Sequence, residues 1–452
     1  MPPASPSPRR LAPVAALLIL LLAALPAGAQ RPPPDTPPAP AAAATEQARG
    51  ESRFTVPAGW SGGPQANGTW LGRRDFTGER GQRGSALIQV ARPISHAAGP
   101  FETVFAQLAA SIPELAKERP TTKGQGVTVN NHRIAYDHRC CGRRNGVSLA
   151  SETVAIDDGT NTHVMMLVTL GLRGDDARAA WADFDALVRS FRPRATDRAF
   201  ALEPPAGAGG LDGVFSHLST GIRPNAFGGT DFYADNEVLV FDPKGLFSHA
   251  IPSGTQDVAA HCREEPTDCG TYSLAGGGLL GGAERIEMRE VGHRFGIMEN
   301  ETQPLRRDGG NLRIGETLHQ RVPPLPSDTR FNGTWRYFFA SSGTGAFSSG
   351  GVASERLLTL TPDGRFRRTG FTGASSTNEV GGGTTGFTAG RERPAESGRY
   401  EAAGFRLTLR GDDGREEVLS IFRPDGSDDG DKLLVIDGRN YLRQDNTRPA
   451  RR

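Results

Sequence analysis

Hydrophobic and polar positions give the two halves of the chain different textures. Between residues 52 and 194, short apolar runs of strand length, such as Phe54-Thr55-Val56-Pro57 and residues 86–90, alternate with helical spacing. Phe101, Val104, Phe105, Leu108 and Ile112 share one face of a helix predicted over residues 101–117. Residues 147–156 and 162–170 predict a hairpin that turns at Asp157-Asp158-Gly159. In a closing helix, Trp181, Phe184, Val188 and Phe191 recur at steps of three, four and three, forming one buried stripe, and Asp175 is placed to cap it. Met165 and Met166 read as core.

Beyond Glu203-Pro204-Pro205 the pattern changes to strands of four to eight residues with a turn signal every ten or so, and it is written twice. Leu211-Asp212-Gly213-Val214-Phe215 is answered by Phe331-Asn332-Gly333-Thr334-Trp335. The run at residues 238–247 is answered by residues 357–366, each a strand, a Pro-x-Gly turn and a second strand. Proline presets the backbone at one turn position and glycine tolerates positive φ at the next. Gly270-Thr271-Tyr272 is answered by Gly398-Arg399-Tyr400, and residues 314–321 by residues 436–443, which sets His319 opposite Tyr441. Four anchors in one order predict a duplication in which Gly213 is equivalent to Gly333 and Ile314 to Ile436. In the second copy Phe405, Leu407 and Leu409 face one way, and Arg406, Thr408 and Arg410 the other.

The opening Phe54-Thr55-Val56-Pro57-Ala58-Gly59-Trp60, the mid-domain helix, the hairpin and the closing helix ending in Val188-Arg189-Ser190-Phe191-Arg192 together resemble the PsbP-like family. That family is named for a photosystem II accessory protein and occurs in many exported bacterial proteins. The resemblance implies an α/β/α sandwich with an adaptor role and transfers no site residue. Each later copy resembles a lipocalin-like β-barrel in length and meander. The expected fold class is therefore α+β, an N-terminal α/β/α sandwich followed by two repeated antiparallel β-barrel or β-sandwich units. Expected boundaries are a signal peptide over 1–29, a disordered Pro/Ala-rich linker over 30–51, the PsbP-like domain over 52–194, repeats over 205–325 and 326–445, and a disordered tail over 446–452.

Charge and the N-terminus narrow the setting. Arg9 and Arg10 precede a fifteen-residue apolar run and Ala27-Gly28-Ala29, the form of a cleavable export signal with processing after Ala29. The run is shorter than the twenty or so residues needed to span a bilayer, so no transmembrane segment is expected in the mature protein, which belongs in the periplasm or the medium. Residues 1–29 carry two arginines and no acid. Their removal from 52 basic and 51 acidic residues leaves a net charge near −1. Scattered basic pairs such as Arg73-Arg74 without interleaved aromatics argue against nucleic acid.

Export makes the four cysteines candidates for oxidation. Cys262 and Cys269 bracket six residues of a loop that the second copy lacks, and a local disulfide is expected there. Cys140 and Cys141 are adjacent, and their state is open, either a vicinal bond or cross-pairing. A metal reading would add His138 and His261, but no Cys-x-x-Cys spacing supports it. Residues 425–431 imitate the start of a calcium loop and place Ile436 where a carboxylate is required, so they read as a turn. No Gly-x-Ser-x-Gly elbow is read in the sequence, which has neither a His-Glu-x-x-His pair nor a P-loop. No catalytic residue, cofactor or metal is expected. Two functions remain: an exported non-enzymatic binding or assembly protein whose repeats receive a small apolar ligand or an envelope partner, or an extracytoplasmic hydrolase whose site forms only in three dimensions.

Overall fold

A computed structural model describes residues 43–77, 83–225, 229–252, 256–276, 283–344, 348–380, 383–424 and 432–444. The predicted signal peptide and C-terminal tail and the calcium-like loop at 425–431 lie outside the described residues. The chain forms two compact units. Unit 1 comprises Met1–Ala201 together with Val291–Glu299, and unit 2 comprises Leu202–Glu290 and Asn300–Arg452.

Unit 1 opens with β1 (Thr45–Arg49) and β2 (Ser52–Val56), an antiparallel pair. β1 falls in the stretch expected to be disordered. The remaining strands are β3 (Ser61–Pro64), β4 (Trp70–Thr77), β5 (Arg83–Val90), β6 (Ile94–Ser95), β7 (Thr122–Val127), β8 (Arg133–Arg144), β9 (Val147–Asp157) and β10 (Asn161–Leu170). They form an antiparallel sheet in the order β7-β8-β9-β10-β5-β4-β3, with β6 also on β10. One helix lies on each face, α1 (Phe101–Ala109) and α2 (Gly174–Ser190). Alternation explains the double burial. Val154, Ile156, Met165 and Leu167 pack with Phe184, Leu187 and Val188 of α2, whereas Ala155, Val164 and Met166 pack with Phe101, Val104 and Leu108 of α1. Phe54 meets Trp70 edge-on and stacks on Phe191, ring centroids 5.7 and 6.1 Å away.

The expected α+β class with an α/β/α sandwich does not hold. Strand accounts for 58% of the structure and helix for 11%, and unit 1 is an antiparallel meander with single helices rather than helical layers. The helix predicted over 101–117 stops at Ala109. Pro113 cannot donate a helical hydrogen bond, and Ile112 and Leu115 stay buried on short turns instead. Asp175 lies in the first turn of α2 and does not cap it. The N-cap position is Arg173, without a side-chain bond.

The C-terminal half forms two closed eight-stranded antiparallel barrels. The first is β11 (Gly213–Pro224), β12 (Thr230–Phe241), β13 (Leu246–Ser248), β14 (Cys269–Ala275), β15 (Arg285–His293), β16 (Ile297–Asp308), β17 (Asn311–Ile314) and β18 (Thr317–Val322). The second is β19 (Gly333–Thr344), β20 (Ser348–Leu360), β21 (Arg365–Val380), β22 (Gly383–Ala403), β23 (Arg406–Gly411), β24 (Glu416–Phe422), β25 (Leu433–Ile436) and β26 (Arg439–Arg443). Gly213 and Gly333 each begin the first strand, and Ile314 and Ile436 each end the seventh, as the duplication requires. The Gly-rich stretch over residues 381–390 reads in the sequence as a mobile loop, yet its described residues from Gly383 onward are strand, because β22 pairs with β21 from Arg365↔Arg399 out to Val380↔Gly383. Backbone hydrogen bonds supplied by a partner strand do not depend on large side chains.

The strongest mark of duplication is a tyrosine. Tyr272 Oη accepts from Leu211 N (2.9 Å) and donates to Asp242 O (2.9 Å), while Tyr272 N donates to Gly245 O (2.8 Å). Tyr400 repeats this with Phe331 N (2.8 Å), Thr361 O (3.1 Å) and Gly364 O (2.8 Å). The turn glycines need left-handed backbone, with φ +99° at Gly245 and +80° at Gly364. Burial pushes the Tyr272 hydroxyl up to about 12, so it stays protonated and able to donate. Tyr272→Phe and Tyr400→Phe each leave a buried N–H and a turn carbonyl unpaired. Each variant is expected to lose about 1–3 kcal/mol in denaturant titration of the whole chain.

Candidate functional site: barrel lumens and the seam between the barrels

Alternation turns every second side chain of a barrel strand inward. One end of each lumen is a packed floor, built from Phe215, Leu239, Phe241, Tyr272, Leu312 and Ile314 in the first barrel. Trp335, Leu358, Leu360, Tyr400, Leu434 and Ile436 occupy the same places in the second. Arg321 covers Phe215 at 5.6 Å and Arg443 covers Trp335 at 5.7 Å. The next inward layer is polar. In the first barrel His217 lies across from Glu237 and its ring centroid is 5.7 Å from that of His319. In the second, Tyr337 lies across from Arg356 and 5.8 Å from Tyr441. His319 is 7% exposed, its Nδ1 has no hydrogen-bond partner, and burial, reinforced by His217, pushes it down to about 4. That environment keeps the ring neutral at neutral pH, at the position that the second copy gives to Tyr441.

The barrels share a third cluster in which Val214, Val238, Val240 and Val322 meet Phe422 and Val435. Asn236 Nδ2 donates to Asn440 Oδ1 (2.6 Å), Asn440 Nδ2 to Ala234 O (2.7 Å) and Asn225 Nδ2 to Ser342 O (2.9 Å), so polar bonds continue the seam along β12, β19 and β26. Strands beside it expose large apolar side chains. Ile222 and Phe232, a cross-strand pair, are both 72% exposed, and Leu218, Phe338 and Leu442 are also exposed. Near the floors a cleft of about 560 Å³ is lined by Val214, Val258, Ile251 and Phe405 together with Asp212, Asp242, Asp257 and Arg406. One wall carries α3 (Val258–Glu264), capped by Asp257 Oδ1 accepting from Ala260 N at 2.7 Å. Cys262 of this helix is bonded to Cys269 at the start of β14, and both are buried in the shared cluster.

Unit 1 holds the densest group of perturbed charges. Arg294 binds both Glu152 and Asp185, and Arg189 Nη1 donates to Arg294 O at 2.6 Å. Burial, with help from Glu152, pushes Asp185 up to about 7 against the pull of Arg294, while burial pushes His293 down to about 4 where it stacks on Tyr136 at 4.2 Å. His138 Nδ1 lies 4.0 Å from Glu152 Oε2. Both carboxylates are engaged by the guanidinium, an arrangement that ties residues 291–299 into unit 1 rather than presenting an acid and a base to a substrate. Cys140 and Cys141 are bonded to each other at a bulge in β8.

Gly59-Trp60-Ser61-Gly62-Gly63 does have Gly-x-Ser-x-Gly spacing, which corrects the reading that no such elbow is present. Ser61 starts the short strand β3, is exposed and donates to Arg73 O at 3.2 Å, without the strand–turn–helix setting that such a nucleophile requires. Among the described residues no group of three His, Cys, Asp or Glu side chains is placed to hold a metal ion, His138 and His261 included. No described helix is long and apolar enough to cross a membrane.

No protein family matches this chain, and no curated protein is significantly similar to it. The lumen chemistry does yield a measurable expectation. His319 has a folded pKa below the ordinary value of 6.5. The unfolded chain therefore binds the extra proton first as pH falls. Stability from keeping this ring neutral is complete above about pH 6.5 and is lost as pH drops toward about 4. The difference in unfolding free energy between wild type and His319→Gln should shrink by roughly 2–3 kcal/mol over that window in denaturant titrations. A pH-independent difference would refute the assignment.

Proposed function

We propose that this chain is an exported, non-enzymatic binding or assembly protein of the bacterial envelope, with the lipocalin-like barrel pair as its recognition surface. The observation carrying this reading is the apolar strip beside the seam. Contiguous exposed apolar side chains on a soluble surface mark interaction sites, whereas singly scattered ones are ordinary. Ile222 and Phe232 are directly paired, and Leu218 shares the outward face of β11 with Ile222. An export signal in the sequence supports a target in the periplasm or at the cell surface. The neutral balance of charge, near −1 after processing, favours an apolar contact over a polyanionic partner.

The test is comparative capture from bacterial envelope extract with the full mature chain and its Ile222→Ser/Phe232→Ser variant. Both side chains are exposed, so the double variant should unfold within about 1 kcal/mol of wild type. The same envelope protein should be retained by wild type and lost by the variant. Equal retention by both, or retention no greater than bare resin, would refute the reading.

A further inference from the structure

Charges in the second lumen are unevenly paired. Above its floor, alternation turns Tyr337, Arg356, Arg368, Glu396, Glu417, Leu419, Tyr441 and Arg439 to the inside. Arg368 is engaged by Glu396 (2.5 Å) and Glu417 (2.7 Å). Arg439 sits 5.9 Å over the Tyr337 ring with Asp437 at 3.7 Å. Arg356 has no acidic partner among the described residues. It reaches the Tyr441 hydroxyl, and its Nε is buried without a hydrogen-bond partner. A guanidinium offers five donors in a planar fork, and one neutral phenol cannot satisfy them. The first barrel inverts this layer, with Glu237 in the slot of Arg356 and His217 and His319 in the slots of the tyrosines. Duplication kept the floor and changed the chemistry above it.

We propose that the lumen of the second barrel is a binding site for a small organic carboxylate. The carboxylate pairs with the fork of Arg356 beside the Tyr441 hydroxyl, and the apolar body of the ligand lies against Tyr337, Tyr441 and Leu419, which pack over the floor. A planar monoanion fits a guanidinium fork that no carboxylate engages among the described residues. Glu396 and Glu417 in the same lumen disfavour a dianion such as phosphate. Interiors of eight-stranded barrels are either filled by side chains or hold one small ligand, and the proposed site is the second case. The site does not rest on the seam strip.

Calorimetric titration of the full chain with 2-naphthoate, its neutral counterpart 2-naphthylmethanol and inorganic phosphate tests the inference. One naphthoate per chain should bind. The alcohol should bind roughly tenfold more weakly, because it leaves the guanidinium unpaired, and phosphate should not compete. Arg356→Gln should weaken naphthoate roughly tenfold, and Arg356→Lys, which keeps the charge and loses the fork, by a smaller factor. Circular dichroism reports whether each variant is folded, and the Arg356→Lys and ligand comparisons decide the matter if Arg356→Gln is not. Glu237→Gln in the first barrel and Ile222→Ser/Phe232→Ser at the seam should leave naphthoate affinity unchanged, which separates this site from the docking strip. Absence of naphthoate binding, equal binding of the alcohol, displacement by phosphate, or unchanged affinity in the Arg356 variants would each overturn it.

Discussion

A single phenolic oxygen fixes three chain segments in each barrel. Tyr272 and Tyr400 take the N–H of the residue two before the first strand and give a proton to the turn between the second and third strands, and their own N–H closes onto that turn's glycine. Closure of a barrel requires the first strand to meet both the second and the last in fixed register. The phenol determines where that strand begins, so floor packing and closure follow from it. What it does not touch is free to vary. The third and fourth strands are 3 and 7 residues long in the first barrel and 16 and 21 in the second. The layer above the floor exchanges imidazoles and a carboxylate for phenols and a guanidinium.

Unit 1 follows a different logic. Its central strands are apolar on both faces, so burial rather than any polar latch organises the sheet, and polar groups appear where segments distant in sequence are joined. Trp60 Nε1 donates to Asp183 on α2 at 2.8 Å, Arg53 and Arg192 exchange backbone hydrogen bonds, and Arg294 joins Glu152 to Asp185. A bridging arginine between two buried acids adds little net stability by itself. Loss of one partner leaves an uncompensated charge, which makes such a bridge selective for one arrangement of the chain.

How much of this was legible in the sequence depends on whether the deciding contacts are local. Pro-x-Gly turns, the Gly-x-Tyr pairs and the Cys262–Cys269 loop carry their own signals within a few residues, and the barrels could be aligned from them. Helix extent failed at Pro113, where an apolar periodicity continued past a residue that ends the hydrogen-bond ladder. The sandwich class failed because strands buried on both faces read alike whether helices cover them in layers or singly. Residues 383–390 read as a loop because their pairing partner lies elsewhere in the chain. Arg356 did leave a signal: it stands two and four residues before Leu358 and Leu360, in the inward slot next to two core positions of the same strand.

Val291–Glu299 belong to unit 1, although the chain reaches them only after the first four strands of a barrel in unit 2. Met298 pairs with Val127 of β7, and Phe295 and Ile297 lie in the same core as Phe184. A polypeptide emerging from the ribosome or a translocation pore amino end first therefore presents the rest of unit 1 long before the nine residues that finish it. Until Glu299 has emerged, Glu152 and Asp185 lack their cation, and that core lacks two of its members. The two units are threaded through each other in chain order, so no single cut releases either one whole.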